Sequence, residues 1–350
     1  MGSIQTRAGQ VPRVSEILGR ADRLGAFKAR WGIGRMRYTV DPGLYVLGDA
    51  GPESPVCVTA NYKMSFDLLR KGLTGIDAWI LVLDTQGINV WCAAGKGTFG
   101  TDELVGRIES SGLADVVSHR RLIVPQLGAP GIAAHEVRMR SGFQVIYGPV
   151  RADDVSAFLK NGLKVTGRMR TKDFPFAERL APVPIEVAPA VKWATLAAAA
   201  LYILSFLVSG FSVSKAAVWT LPAAVSLGAS VLAGAALTPI LLPRLPGRAF
   251  STKGFSLGLL FAVCALTLNG AFRHQRIAAT LAQLVSIPAL AAFLAMNFTG
   301  ASTFTSLSGV QKEMRFALPL EIGGITAGLA LWISAVVTGG WKAYAPLALP

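Results

Sequence analysis

The pattern of hydrophobic and polar positions divides the chain into two parts. Between residues 42 and 162, short apolar runs rich in β-branched residues alternate with segments of helical periodicity. This alternation is typical of a parallel α/β sheet. The predicted strands lie at residues 44–47, 55–60, 78–84, 88–91, 121–125 and 144–148, and the predicted helices at 65–71, 101–109, 131–139 and 152–160.

The segments on either side of this α/β domain have weaker patterns. Residues 1–41 are basic, and we expect a surface segment with a short helix at residues 14–24. Residues 163–192 begin with basic residues and then contain four prolines, a density that favours an extended linker. These prolines are Pro175, Pro182, Pro184 and Pro189.

Five long apolar segments follow, and they predict an all-α transmembrane domain of about five helices over residues 193–350. A helix that crosses a bilayer needs about 20 mainly apolar residues. The segments are 193–208, 216–242, 255–268, 277–296 and 318–338. Residues 297–315 are rich in Ser, Thr and Gly, which favours a flexible connecting loop.

Composition and charge support a membrane protein. The 350 residues are 52% hydrophobic and 15% charged, with a formal net charge of +14. Lys and Arg are scattered and match no nucleic-acid-binding motif, so we expect a lipid membrane and no nucleic acid as partner.

The basic residues and the N-terminus also predict a topology. The polar N-terminus shows no apolar signal sequence, and the linker before the first span is basic. We therefore expect a multi-pass protein of the cytoplasmic membrane, with its N-terminal domain in the cytoplasm and its C-terminus outside. On this topology the inner loops carry Arg244, Arg248, Lys253, Lys312 and Arg315, and the outer loops carry Lys215, Arg273, Arg276 and Lys342.

Cys92 is the first candidate for chemistry. It lies in NVWCAAGK, residues 89–96, between a predicted strand and a small-residue turn that leads to a helix. Backbone N–H groups and the helix dipole at such a position favour the thiolate, which is the form that attacks electrophiles and binds metals. Cys57 and Cys264 lie in apolar runs, and we interpret them as small buried hydrophobic residues.

Two nucleotide-binding motifs match the same stretch incompletely. GKGTFG, residues 95–100, fits G-x-G-x-x-G, but no acidic residue follows the next predicted strand to hold a ribose. A Walker A loop does not fit, because Gly87 is too far ahead of Lys96 and Gly97 stands where Ser or Thr should bind magnesium.

Metal-ligand patterns are equally sparse. The three cysteines form no CxxC, which excludes a four-cysteine iron–sulfur or zinc site within this sequence. The three histidines lack helix-face ligand spacing. They are His119, His135 and His274.

NVWCAAGK resembles the cap-helix motif of the mercury-methylating corrinoid proteins, whose soluble domain is related to the corrinoid iron–sulfur proteins of the acetyl-CoA pathway. Further similar stretches are VTANYKMSFDLLR (58–70), PQLGAPGIAAHEV (125–137), YGPVRADDVSAFL (147–159) and, in the membrane part, NFTGASTFTSLSG (297–309). The resemblance implies a Rossmann-like corrinoid-binding domain over residues 42–162.

The resemblance also implies a cofactor, a reaction and a site. The cofactor would be a cobalamin-type corrinoid, with Cys92 as catalytic residue and lower ligand of its cobalt. The implied activity is a corrinoid-dependent methyltransferase that moves a methyl group from cobalt to Hg(II), giving methylmercury. Because Hg(II) is an electrophile, a strongly donating thiolate would favour that direction. The cofactor contacts so implied are Asn89, Val90, Trp91, Cys92, Ala93, Ala94, Gly95, Lys96, Thr98, Thr59, Asn61, Gln126, Gly128 and Tyr147.

The expected partners follow from the same comparison and from the cysteine count. Since the sequence holds too few cysteines for its own cluster, we expect a separate ferredoxin-like 4Fe–4S protein as electron donor. The resemblance implies a methyl-tetrahydrofolate-linked methyl donor system. Two alternatives remain open: a membrane-anchored corrinoid methyl carrier for one-carbon metabolism like that of the acetyl-CoA pathway, and a membrane transporter or receptor with a nucleotide-binding domain.

Overall fold

The computed structural model describes residues 2–268, 277–301 and 307–338. The chain forms two compact units, one ending at Asp173 and the other beginning at Phe174. The first unit is built on a β-sheet, and the second consists of long helices.

The first unit is built on a seven-stranded sheet of order β1-β2-β3-β5-β4-β6-β7. The four strands β5, β4, β6 and β7 are parallel, whereas β3 runs antiparallel to β5 and β1 antiparallel to β2. The strands are β1 (Ser3–Thr6), β2 (Gly9–Val14), β3 (Gly43–Leu47), β4 (Val56–Ala60), β5 (Ala78–Leu83), β6 (Arg121–Val124) and β7 (Gln144–Tyr147).

Helices cover both faces of this sheet, which is why β4 and β5 are buried along their whole length. Successive side chains of β5 enter different cores: Trp79 and Leu81 pack into one, and Ile80 and Val82 into the other. The helices are α1 (Arg20–Arg30), α2 (Lys63–Gly72), α3 (Val90–Lys96), α4 (Thr101–Ser110), α5 (Leu113–Val116), α6 (Ala134–Ser141) and α7 (Val155–Lys160).

Five of the six predicted strands are present, and the sixth prediction is wrong. Residues 88–91 are the end of a loop and the first turn of α3. Asn89 caps the helix there, and this local hydrogen bond outweighs the β-type composition of the run. The helix predicted at 131–139 begins at Ala134, because residues Gln126–Gly131 form a 3-10 helix that contains Pro130.

The N-terminal residues are part of the folded unit. The predicted helix at 14–24 lies instead at Arg20–Arg30, and the residues before it form the β1–β2 hairpin at the edge of the sheet. Asp22 anchors α1 through ion pairs with Lys63 at 2.7 Å and Arg70 at 2.8 Å, both on α2. These residues therefore belong to the sheet domain and do not form the separate surface segment that was expected.

The second unit contains five helices that are long and apolar enough to cross a membrane. They extend over Phe176–Val208, Val213–Leu241, Phe250–Thr267, Ile277–Asn297 and Ser308–Val337. The predicted architecture, an α/β domain followed by a helical region with about five candidate spans, is confirmed.

The prediction of an extended proline-rich linker is wrong over its second half. Helices occupy Phe176–Leu180 and Val183–Val208, with Pro182 as the N-terminal cap and Pro184 in the first turn of the longer one. Proline is compatible with these positions because the first N–H groups of a helix have no intrahelical partner. Pro189 lies further inside the same helix.

The predicted loop at 297–315 is also largely helical. A 3-10 helix covers Phe298–Ala301, and a long helix, Leu307–Val337, includes Lys312 and Arg315. Lys253 is buried and donates to the carbonyls of Leu242 and Leu245, so it is not a loop charge either. Residues 302–306 and the basic residues Arg273, Arg276 and Lys342 lie outside the described residues, and the membrane topology stays a prediction.

Candidate functional site

A cleft opens where the parallel strands end. β4 and β6 share one ladder pair, Cys57 with Ile123, and their ladder does not extend to the carboxyl ends of the two strands. The chain continues from β4 to β5 on one side and returns to β6 on the other, which makes this gap the switch point of the sheet, where α/β proteins bind ligands. A cavity of about 310 Å3 lies there. Its wall includes Thr59, Leu68, Asn89, Val90, Trp91, Pro125, Leu127, Gly148 and Val150.

Asn61 holds the loop that leads from β5 to α3. Its side-chain oxygen accepts hydrogen bonds from the Thr85 N–H at 3.1 Å, the Thr85 hydroxyl at 2.8 Å and the Gly87 N–H at 3.0 Å. Its amide nitrogen donates to Asp84 Oδ1 at 3.1 Å. Asn61 is buried, and its polar atoms are occupied by this loop, so in this structure it positions the loop instead of facing a ligand.

The first turn of α3 is fixed by Asn89. Its side-chain oxygen accepts from the backbone N–H of Cys92 at 2.9 Å, in the N-cap arrangement that satisfies one free N–H of a helix start. Gly97, with a φ of 83°, ends the helix after 7 residues. Only glycine adopts that left-handed conformation without steric cost, which explains its place here.

The inner face of α3 packs closely against residues Gln126–Gly131. Ala93 and Ala94 are buried there. A Cβ atom on Gly131 would overlap the carbonyl oxygen of Phe99 and come within 3.1 Å of the Ala94 Cα. Ala93 and Ala94 therefore face other parts of the protein in this structure, and their contact with a cofactor stays a prediction.

The outer face of α3 presents four residues of the NVWCAAGK octet. Trp91, Gly95 and Lys96 are exposed and Cys92 is half-buried. A Cβ atom on Gly95 would meet nothing within 4 Å, so the space over this residue is open. A planar ligand has access to the helix at this point.

The three cysteines differ in accessibility. Cys57 is fully buried in β4, and burial raises the pKa of its thiol to about 12. Cys264 lies in the candidate span Phe250–Thr267, where it is exposed on the helix surface, so it is not the buried residue that was predicted. Cys92 is thus the one accessible thiol outside the candidate spans.

The remaining predicted contacts fix the loops around the cleft. Gln126 Oε1 accepts from Arg170 at 2.8 Å, and the Tyr147 hydroxyl donates to the Ile132 carbonyl at 2.6 Å. Burial raises the pKa of this hydroxyl. Gly128 lies against the Phe99 ring, and Thr98 donates to the Ala93 carbonyl at 3.5 Å.

The structure therefore brings together Thr59, Asn89, Val90 and Trp91 in the cavity wall. Sequence reasoning missed Leu68, Leu127 and Val150, which have no polar signature. It also passed over Pro125 and Gly148, which directly follow β6 and β7. Their position at the carboxyl ends of the predicted strands 121–125 and 144–148 was the available signal, since ligands bind at that edge of a parallel sheet.

No metal site is formed by protein side chains alone in the part of the chain that the structure describes: no three His, Cys, Asp or Glu residues are close enough to hold an ion. His119 bonds the Ser54 carbonyl at 2.9 Å, and His135 is exposed. His274 lies outside the described residues.

Comparison with known proteins places a similarity on this domain. Residues 34–159 match the family described as CO dehydrogenase/acetyl-CoA synthase delta subunit. The gamma subunit of the acetyl-CoA decarbonylase/synthase complex of Archaeoglobus fulgidus is 32% identical over 123 residues, which are 35% of this chain and 26% of that protein. The gamma subunit of Methanopyrus kandleri is 34% identical over 127 residues, 35% of this chain and 27% of the relative.

The chain spans about a quarter of the length of the relatives it matches. The matched family region ends at residue 159, before the first candidate membrane span at Phe176.

Proposed function

We propose that the α/β domain binds a corrinoid at the carboxyl edge of its sheet and serves as a membrane-anchored methyl carrier of one-carbon metabolism. Two comparisons support this: the similarity to subunits of CO dehydrogenase/acetyl-CoA synthase complexes, and the resemblance of NVWCAAGK to the cap helix of corrinoid proteins. The observation that carries the proposal is the position of Cys92, an accessible thiol on a capped helix start beside an open cleft.

A corrinoid would occupy two places in the site, one for its nucleotide tail and one for its macrocycle. The cavity of about 310 Å3 is at the small end of ligand pockets, which measure about 300–1,000 Å3. It has room for the nucleotide tail of a corrinoid and not for the macrocycle. The macrocycle would lie on the outer face of α3, over the open position at Gly95. When bound, the corrinoid would supply a cobalt ion that accepts and releases a methyl group.

The residues of α3 would hold and tune this group. Cys92 would donate its sulfur as the lower ligand of the metal, and the Asn89 cap fixes the backbone from which that side chain extends. Lys96 follows Cys92 by four residues and is exposed on the same side of the helix. Its ammonium group would place a positive charge close to the metal-bound sulfur or to a phosphate of the cofactor.

Transfer of the methyl group to Hg(II) is a second candidate function. It is favoured by the half-buried Cys92 thiol, because a thiolate is a strongly donating ligand and would raise the electron density that an electrophilic acceptor requires. In this reaction Hg(II) is the substrate, and it accepts the methyl group with its bonding electron pair to give methylmercury.

Both candidates need partners. The sequence has three cysteines, so a ferredoxin-like 4Fe–4S protein would supply electrons, and a methyl-tetrahydrofolate-linked system would supply the methyl group. The five candidate spans would anchor the domain in the cytoplasmic membrane, with the α/β domain in the cytoplasm and the C-terminus outside.

The test is purification of the full chain from a corrinoid-producing host, followed by measurement of cobalt per chain and of the absorption spectrum. We expect stoichiometric cobalt in the wild type and in Cys264→Ala, the matched control for a cysteine outside the site. Cys92→Ala should change the spectrum because the metal loses a sulfur ligand. Absence of cobalt from the wild type would refute the corrinoid function and favour the transporter or receptor alternative.

A second measurement separates the two acceptors. Membranes that contain the cobalt-loaded chain and its reducing partner would be supplied with Hg(II), and methylmercury would be measured. Formation that depends on Cys92 supports mercury methylation. Cobalt binding without methylmercury, with methyl transfer to a thiol acceptor, would support the carrier and refute the mercury function.

A further inference from the structure

Helix α1 has one face fixed to the domain. Asp22 pairs with Lys63 and Arg70, Gly25 lies against the ring of Tyr38, and Ala29 is fully buried. These residues recur at the three- and four-residue spacing of one helical face. The orientation of α1 is thereby set, and the opposite face points away from the domain.

The opposite face carries large apolar side chains. Leu24, Phe27 and Trp31 share a stripe, and the rings of Phe27 and Trp31 are 6.2 Å apart. Ile33 and Met36, in the turns that follow the helix, are also large, apolar and exposed. These five side chains are between 41% and 67% exposed. A contiguous group of large apolar residues on a surface is typical of an interaction site.

The same surface is strongly positive. Arg23, Lys28, Arg30 and Arg37 are exposed around the five apolar residues. The only acid between residues 17 and 37 is Asp22, whose charge is turned inward and paired. We call these nine residues, Leu24, Phe27, Trp31, Ile33, Met36, Arg23, Lys28, Arg30 and Arg37, the basic apolar surface.

We propose that the basic apolar surface docks on the anionic headgroups of a lipid bilayer. Aromatic and aliphatic side chains on a helix that also carries Lys and Arg are the composition of helices that lie in the membrane interface. The positive charges complement the negative potential of an anionic leaflet. A bilayer surface accommodates both parts of this surface, because the apolar side chains can insert below the headgroups while Lys and Arg remain at headgroup level.

The position of this surface in the chain makes the contact effective. The α/β unit ends at Asp173, and the first candidate span begins at Phe176. The unit is thus held close to a bilayer by its own chain, and a tether raises the effective concentration of lipid at the surface. A weak affinity of the basic apolar surface for lipid is then sufficient for docking. This inference does not depend on the cofactor.

The experiment uses the full chain in nanodiscs of phosphatidylcholine alone or of phosphatidylcholine with phosphatidylglycerol. Hydrogen–deuterium exchange is followed over residues 20–37. We expect exchange to slow severalfold in the anionic discs, and high salt should reverse the effect. The triple variant Arg23→Glu, Lys28→Glu, Arg30→Glu should lose it. Arg121→Glu with Arg138→Glu is the matched control, since both arginines are exposed on other elements.

Three results would overturn the proposal. The first is equal exchange in neutral and anionic discs. The second is protection that the charge-reversal variant keeps. The third is protection that appears only when an acidic iron–sulfur protein is added, which would assign the surface to a protein partner. The wild-type lipid and salt comparisons need no variant, so a folding defect in the triple variant leaves the test intact.

Discussion

The side-chain oxygen of Asn89 accepts the backbone N–H of Cys92 at 2.9 Å, so the residue that begins α3 also fixes the backbone of the candidate metal ligand. Asn89 belongs to the cavity wall as well. One residue therefore links the cleft at the end of the sheet to the exposed face of α3. Changes at position 89 should affect both parts of the site.

Asn89→Ala should loosen the first turn of α3. Loss of an N-cap side chain costs about 1 kcal/mol. We expect faster hydrogen exchange over residues 90–96 and weaker retention of cobalt on gel filtration. Asn89→Asp is the control, because it keeps an oxygen that can accept the Cys92 N–H. If the Ala and Asp variants exchange alike, the cap does not hold the helix.

Gly95→Ala should raise the stability of the protein and weaken its binding of corrinoid. Alanine in place of a helical glycine stabilises a helix by about 0.5–1 kcal/mol, and no protein atom would obstruct the new Cβ. A planar cofactor over this position would meet the methyl group, at a cost of about 1–3 kcal/mol. We expect a more stable protein that binds corrinoid about tenfold more weakly.

Gly106→Ala is the matched control for that experiment. Gly106 is an exposed glycine within α4, and a Cβ atom there also meets nothing within 4 Å. It should give the same gain in stability and leave corrinoid binding unchanged. Equal affinities for the two variants would place the macrocycle elsewhere.

Much of the sheet could be predicted because its signal is local. β4 and β5 are short apolar runs bounded by turn residues, and their predicted limits differ from the observed ones by one residue. Residues 88–91 misled the prediction. Ile88, Val90 and Trp91 favour a strand by composition, and the cap formed by Asn89 decides the outcome.

The sequence indicated the candidate metal ligand but not the residues that position the loops around it. Cys92 stands out by its neighbours, and the structure leaves it accessible. Asn61 was expected to contact the cofactor, yet its amide is occupied by Thr85, Gly87 and Asp84, which are more than twenty residues away along the chain. Long-range hydrogen bonds of this kind have no pattern in a single sequence.

Asn61→Leu should release the loop before α3. The buried N–H groups of Thr85 and Gly87 would lose their acceptor, whereas the Thr85 hydroxyl keeps the Ile88 carbonyl, and each unsatisfied buried group costs about 1–3 kcal/mol. We expect faster exchange over residues 84–89 and lower cobalt content. Thr59→Val provides a comparison at a buried residue of the cavity wall on β4, two positions before Asn61, where we expect the loop to keep its protection. An Asn61→Leu protein with a protected loop would contradict the role of Asn61.

The N-terminal residues escaped prediction for the same reason as Asn61. Nothing in residues 1–41 indicates that Asp22 will reach Lys63 and Arg70, forty or more positions later. The ion pairs decide which face of α1 is inside. They therefore also decide that the basic apolar surface is outside.

Protonation of Asp22 should release α1 at low pH. Burial alone would raise the pKa of this carboxyl, but hydrogen bonds from Lys63, Arg70 and the Gly19 N–H outweigh it and lower the pKa from 3.8 to about 2. Because one pKa unit is about 1.4 kcal/mol, the charged form contributes about 2 kcal/mol to holding α1. This stability is present in full above pH 4 and is lost as the pH falls from about 4 through 2.

Asp22→Asn tests this dependence. At pH 7 we expect the opening free energy of α1, measured by hydrogen exchange, to fall by about 2 kcal/mol in the variant. The difference between the wild type and the variant should shrink as the pH approaches 2, because the wild-type carboxyl then becomes neutral too. Asp115→Asn, which changes an exposed acid on α5, should leave the hydrogen exchange of α1 unchanged at every pH. A difference for Asp22→Asn that persists unchanged down to pH 2 would show that the charge of Asp22 does not hold α1.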